Sequence, residues 1–159
     1  MTKVLYPGSF DPITKGHMNI VEQALELFDE VVIAVLPNSS KSAMFTIEER
    51  MNLVKEIYKN NNKVTVVTGQ SASVDIAKEN GCKAIIRGLR GLSDYDYEVQ
   101  IAQTNKEISS GTINTICLFA DKEYQFLSSS IVKEVFRIHK DISKYVTPEV
   151  IQKMQEKNM

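Results

Sequence analysis

His17 is one of two histidines in the 159-residue sequence, and it stands in YPGSFDPITKGHMNI (6–20), at the opening of an apolar helical pattern. Gly16 before it lets a ligand approach the backbone closely. A helix start offers unpaired amides and the positive end of the macrodipole. The same dipole disfavours a protonated imidazole. Further along, Lys41 ends PNSSK, Arg87 and Arg90 lie in RGLRG, and Ser128, Ser129 and Ser130 open a late helical pattern. Cations, hydroxyls and helix-start amides are the groups that hold phosphate. Brought to one place, these residues would take a ligand carrying several phosphates.

Each group also has an ordinary structural role open to it. Gly8 and Gly16 suit turns, Lys41 suits a solvated loop, and Arg87 could pair with a nearby acid. The serines could simply cap a helix, and Met44 and Phe45 could cover the helix that follows them. His17 could face solvent, and His139, beside Lys140 late in a helix, reads as a surface residue. Positions along the chain favour the binding role, because these groups follow one apolar run after another.

Those runs are KVLY (3–6), VVIAVL (31–36), VTVVT (64–68), AIIR (84–87) and TICLF (115–119). They are near-continuous rather than alternating, which suits strands covered on both faces. Helical patterns lie between them. Met18, Val21, Leu25 and Phe28 recur at helical spacing from His17 to Phe28. Residues 46–58 open with Thr46 and place Glu49 three residues on, a capping box. Residues 73–81 start at Ser73 as a cap and stop at a glycine. Helices are expected around 94–109 and from about 130, and TPEVIQKMQ (147–155) carries a threonine cap with proline at its first helical position. KNNNK (59–63) reads as a polar turn. The alternation predicts one α/β domain over 1–159: a Rossmann-like, doubly wound, five-stranded parallel sheet with C-terminal helices. Ligands bind such sheets at the carboxyl ends of the strands, where the phosphate-holding groups fall.

The motifs of other phosphate folds are missing: there is no GxxxxGK[ST] and no GxGxxG, and PGSFDP is not a GxSxG elbow. Composition sets further bounds. A net charge of −1 provides no global basic field for nucleic acid. Two cysteines make neither a disulfide framework nor a zinc site, and both Cys82 and Cys117 are expected as buried free thiols. The N-terminus reads as a strand rather than a secretory segment. No apolar run nears the roughly 18–20 residues of a membrane span. A soluble, cytoplasmic protein that binds neither membrane nor nucleic acid is expected.

GSFDPITKGH contains Thr14-Lys15-Gly16-His17, which resembles the [ST]-x-G-H signature of the nucleotidylyltransferase superfamily. SSSIVKE (128–134) resembles its second signature. More narrowly, YPGSFDPITKGH, MFTIEER, IIRGLRGLSDYDYE and FLSSSIVKEV resemble the bacterial phosphopantetheine adenylyltransferase family, in order and through nearly the whole chain. The resemblance implies transfer of an adenylyl group from ATP to 4′-phosphopantetheine, giving dephospho-coenzyme A and pyrophosphate. It also implies Mg²⁺, a homohexamer and feedback inhibition by coenzyme A.

Carried onto this chain, the resemblance places Ser9 and Phe10 at the α-phosphate and His17 on the ATP phosphates. Lys41 and Arg87 would hold the acceptor phosphate, with Ser9 shared and Ser73 along the pantetheine arm. Gly88, Leu89, Arg90 and Glu98, together with Tyr124, Gln125, Phe126, Leu127, Ser128, Ser129 and Ser130, would form the ATP pocket. His17, Lys41, Ser9, Arg90 and Ser129 would carry catalysis, and Mg²⁺ would be held mainly by the ATP phosphates. Ser9 stands where threonine is common in the family, Tyr124 where tryptophan is common, and Ser73 where larger apolar residues are usual. Two other readings stay open: a nucleotidylyltransferase acting on a different phosphorylated acceptor, and a nucleotide-binding regulatory module without catalysis.

Overall fold

A computed structural model describes residues 1–39 and 42–158. Lys41, expected on the acceptor phosphate, lies outside the described residues. The strands are β1 (Lys3–Gly8), β2 (Glu30–Val35), β3 (Val64–Thr68), β4 (Ala84–Leu89) and β5 (Asn114–Phe119). The helices are α1 (Lys15–Leu27), α2 (Ile47–Ile57), α3 (Ser73–Glu79), α4 (Leu92–Ile108), α5 (Ser129–Arg137) and α6 (Pro148–Lys157), with a short 3₁₀ turn at Lys122–Tyr124. Every pairing is parallel, and the sheet order is β3-β2-β1-β4-β5. The order reverses between β1 and β4, which opens a crevice at their carboxyl ends. The expected doubly wound sheet and its C-terminal helices are therefore present.

The three central strands are buried on both faces, which is why they read as continuous apolar runs. Val4, Tyr6, Val31, Ile33, Val35 and Ile86 pack on one face with Ile20, Val21 and Ala24 of α1, Leu53 and Val54 of α2, Val132 of α5 and Met154 of α6. Leu5, Val32, Ala34 and Ile85 pack on the other with Val74, Ile76 and Ala77 of α3. α4 also lies over β4 and β5, but only Glu98 and Asn105 of that helix are buried. No helix among the described residues is long and apolar enough to cross a membrane.

Some expectations fail at the edges. β5 is not covered on both faces: Phe119 is 71% exposed and Cys117 is exposed, so only Cys82 is a buried thiol. An apolar run of this length suits an edge strand as well as a central one. The cap of α3 is Ala72, not Ser73, and no side chain accepts its first amides. Ser73 is the first helical residue instead. Thr46 does form the expected box: its Oγ1 accepts the Glu49 N–H at 3.1 Å, and the Glu49 carboxylate accepts the Thr46 N–H at 2.9 Å. His139 is on the surface as read.

Candidate active site

The crevice holds a cavity of about 480 Å³, within the range of small-molecule sites. Its walls come from the ends of β1, β2 and β4, the segment after β5, and the starts of α1, α3, α4 and α5. Among residues expected from sequence, Ser9, Phe10, His17, Ser73, Arg87, Gly88, Arg90, Glu98, Tyr124, Leu127, Ser128, Ser129 and Ser130 line it.

Leu89, Gln125 and Phe126 do not line the cavity. Leu89 is buried, and its carbonyl accepts the Ala120 N–H at 3.0 Å. Tyr124 and Leu127 both line the cavity and are tied by a tight turn that follows the 3₁₀ element, in which the Leu127 N–H donates to the Tyr124 carbonyl at 3.1 Å. The two residues between them turn outward, and Phe126 is 85% exposed. The continuous stretch 124–130 expected at the nucleotide is thus interrupted at Gln125 and Phe126.

His17 occupies the third position of α1, and Thr14 is its cap. The Thr14 N–H donates to His17 Nδ1 at 2.9 Å, while the His17 N–H donates to Thr14 Oγ1 at 3.3 Å. This is a capping box with histidine in the place of the usual Glu or Gln. A nitrogen that accepts a backbone N–H carries no proton, so the neutral ring bears its hydrogen on Nε2. Burial at the cavity wall, reinforced by the Arg90 charge, lowers the His17 pKa to about 4. Phe10 packs edge-on against the ring, with centroids 4.9 Å apart. His17 is accordingly a neutral donor of fixed tautomer.

The two cavity arginines are held by acids. Arg87 donates from Nε and Nη2 to the Glu98 carboxylate at 2.8 and 3.0 Å, a forked pair closed by a residue only 7% exposed. The ordinary role open to Arg87, pairing with an acid, is the one observed. The fork also orients the guanidinium, whose other N–H groups are not taken by Glu98. Arg90 donates to Asp94 from Nε at 3.1 Å and from Nη2 at 3.3 Å, and from Nη1 to the Leu127 carbonyl at 3.0 Å. That last bond ties the RGLRG segment to the one after β5. Burial also raises the Tyr6 phenol, which keeps it protonated beside the cavity.

The serines divide their work. Ser128 caps α5 by accepting the Ile131 N–H at 3.2 Å. The Ser129 hydroxyl donates to the Pro12 carbonyl at 2.8 Å, so its proton is committed to the first loop. What Ser129 offers an anion is its place at the helix start. Gly88 serves packing: a Cβ there would lie 3.1 Å from Ile20 Cγ1, so glycine lets α1 approach β4.

Sequence reading missed several residues. Asp94 and Tyr97 line the cavity inside a quoted motif. Thr14 was read as part of a signature, although its spacing to His17 is the capping-box spacing. Buried Asn19 ties α1 to the segment after β5: its Nδ2 donates to the Asp121 carboxylate at 2.7 Å, and its Oδ1 accepts the Asp121 N–H at 3.0 Å. Among the described residues no group of three or more His, Cys, Asp or Glu side chains could hold a metal ion.

A doubly wound sheet with a cavity at its switch point, walled by a TxGH helix start, is the arrangement of the nucleotidylyltransferase class. The cytidylyltransferase-like family matches residues 5–135. The phosphopantetheine adenylyltransferase of Lachnoclostridium phytofermentans is 46% identical over 153 residues, 96% of this chain and 93% of that protein. The protein of the same name from Thermotoga neapolitana is 44% identical over 153 residues, 96% of this chain and 94% of its own length. In fold alone, the chain is similar to the crystal structure of a lipopolysaccharide core biosynthesis protein from Thermoplasma volcanium. That match has a TM-score of 0.58 at 20% identity and covers 76% of this chain and 98% of the other. The chain belongs to the phosphopantetheine adenylyltransferase family, a family of nucleotidyltransferases.

Proposed function

We propose that the protein transfers the adenylyl group of ATP to 4′-phosphopantetheine, forming dephospho-coenzyme A and releasing pyrophosphate without a covalent enzyme intermediate. The observation that carries this reading is the convergence on one cavity of the first loop, the Arg87–Arg90 segment and the start of α5, in a chain whose relatives bear that name.

The acceptor phosphate is largely dianionic near neutral pH, because its second ionisation lies near pH 6. It needs no base to become a nucleophile. The difficulty is to bring two anions together in line, and fixed donors and cations offset that repulsion. Arg87, oriented by Glu98, and Lys41 clamp the acceptor phosphate. The Nε2–H of neutral His17, with Ser9, Arg90 and the amides at the start of α5, stabilises charge spreading over the α-phosphate and the leaving pyrophosphate. Every group in this scheme donates a hydrogen bond or carries positive charge, and none forms a bond to phosphorus.

Mg²⁺ fits such a site as a partner of the nucleotide. The two acids lining the cavity, Asp94 and Glu98, are paired with Arg90 and Arg87, which leaves the phosphates as its main ligands. When bound, the ion supplies neutralisation of phosphate charge. The protein works in the cytoplasm as a homohexamer, with coenzyme A as a feedback inhibitor. Leu92 and Phe119, 93% and 71% exposed on α4 and β5, are the kind of surface that a subunit contact covers.

The test is incubation with ATP, Mg²⁺ and phosphopantetheine while pyrophosphate is followed. Release that needs both substrates is expected. Saturable ATP binding with no release would make the protein a binding module, and release only with another phosphorylated acceptor would move it within its class.

A further inference from the structure

The carboxylate of Asp11 lies in the wall of the site without lining the main cavity, and the residue is only 6% exposed. Its Oδ1 accepts the Phe45 N–H at 2.8 Å. Its Oδ2 accepts the Met44 N–H at 2.8 Å and the Lys133 ammonium at 3.1 Å. One side chain thus joins three segments: the first loop, the approach to α2, and α5. Arg50 of α2 closes the ring. Its Nε donates to the Phe45 carbonyl at 3.1 Å, and its Nη1 donates to the carbonyls of Ser9 at 2.8 Å and Leu36 at 3.2 Å.

This ring borders the reacting centre. A small second cavity of about 40 Å³, lined by Asp11, Arg50 and Lys133 among others, shares Ser9, Ser129 and Ser130 with the main one. Phe10, immediately before Asp11, has a φ of 47°. A phenylalanine keeps that left-handed conformation only where its surroundings hold it. Buried ion pairs add little to stability compared with apolar packing of the same volume. A fully bonded one therefore points to a requirement of geometry.

We propose that Asp11 is a positioning residue for the transfer: its carboxylate fixes Ser9 and the start of α5 at the separation that in-line attack requires. Its side chain does not line the main cavity, where the reacting atoms would meet, so it acts through the residues it ties together. The kinetic part of this inference rests on the adenylyl-transfer reading; the structural part does not.

The experiment compares Asp11→Asn, Lys133→Met and Lys133→Arg. An asparagine amide presents two donors at one end, so it cannot accept the Met44 N–H, the Phe45 N–H and the lysine together. Asp11→Asn should lower kcat by about tenfold or more while ATP affinity, by calorimetry, shifts less than about threefold at undiminished stoichiometry. Lys133→Met, which keeps both backbone bonds, should lower kcat less, and Lys133→Arg should restore it. Amide hydrogen exchange over residues 9–10 and 42–46 should quicken in Asp11→Asn, with β1 and β2 unchanged. An unaltered kcat per ATP-binding site, or unaltered exchange in those segments, would overturn the proposal. If Asp11→Asn does not fold, Lys133→Met decides: wild-type kcat in that variant overturns it. A wild-type protein that turns nothing over refutes the proposed function, and the exchange arm then still decides the role of Asp11.

Discussion

The backbone N–H of Thr14 donates to Nδ1 of His17 at 2.9 Å, and this one bond decides what the histidine can do. It completes the cap of α1 and leaves the ring hydrogen on Nε2. The imidazole is thereby a donor before any substrate arrives. A general base at Nδ1 would have to give up the capping bond.

His17→Ala should lower kcat by about a hundredfold or more, the scale of a lost oxyanion-type donor. A contact realised mainly in the transition state leaves ground-state binding little changed. ATP affinity by calorimetry should therefore move far less than kcat. Near wild-type turnover would remove His17 from the mechanism, and a loss explained wholly by weaker ATP binding would make it a ground-state contact.

Stability should carry the mark of this histidine at acid pH. Folded His17 stays neutral down to about pH 4, whereas the ordinary side chain takes a proton near 6.5. Between those values the unfolded chain binds more protons, so stability falls as pH falls through that window, and above it this contribution is level. His17→Gln lacks the group, and urea unfolding should show it losing less stability from pH 6.5 to pH 4 than the wild type. Parallel curves would mean that His17 is not held neutral. For the same reason, no limb of the kcat profile between pH 6 and 9 should belong to His17.

Arg87→Ala and Lys41→Ala should weaken use of phosphopantetheine more than binding of ATP, because each removes a charge-assisted contact to the acceptor phosphate. Pantetheine without its phosphate should be a poor acceptor. Arg87→Ala has a second expected effect, since it strands the buried Glu98 carboxylate: stability should drop by about 3 kcal/mol or more in urea unfolding. Equal use of pantetheine and its phosphate would remove both residues from the acceptor site.

Sedimentation of a dilute sample should show a hexamer, with the apolar side chains of Leu92 and Phe119 covered in closed interfaces. A stable, active monomer would contradict this.

The sheet and the cavity-lining strand ends were legible because burial on both faces writes itself into composition, and because helix starts carry capping spacing. β5 was misjudged since an apolar run does not say whether other elements cover both faces of the strand, and Cys117 and Phe119 are exposed. The pairing of Arg87 with Glu98 joins β4 to α4 and could be anticipated only as one option among several. Asp11, Arg50 and Lys133 left no local signal at all: their contacts join three segments that meet only in the folded chain. Gln125 and Phe126 lie in a tight turn closed by the Leu127 N–H on the Tyr124 carbonyl, too short to leave a periodic pattern.

Direct attack of the acceptor phosphate on the α-phosphorus of ATP is tested most directly by stereochemistry. ATP made chiral at the α-phosphorus with sulfur is turned over with phosphopantetheine, and the configuration of the dephospho-coenzyme A product is determined. A single in-line displacement inverts that centre, and inversion is the expected result. Retention would require two displacements through a covalent enzyme intermediate and would contradict the mechanism drawn from this cavity.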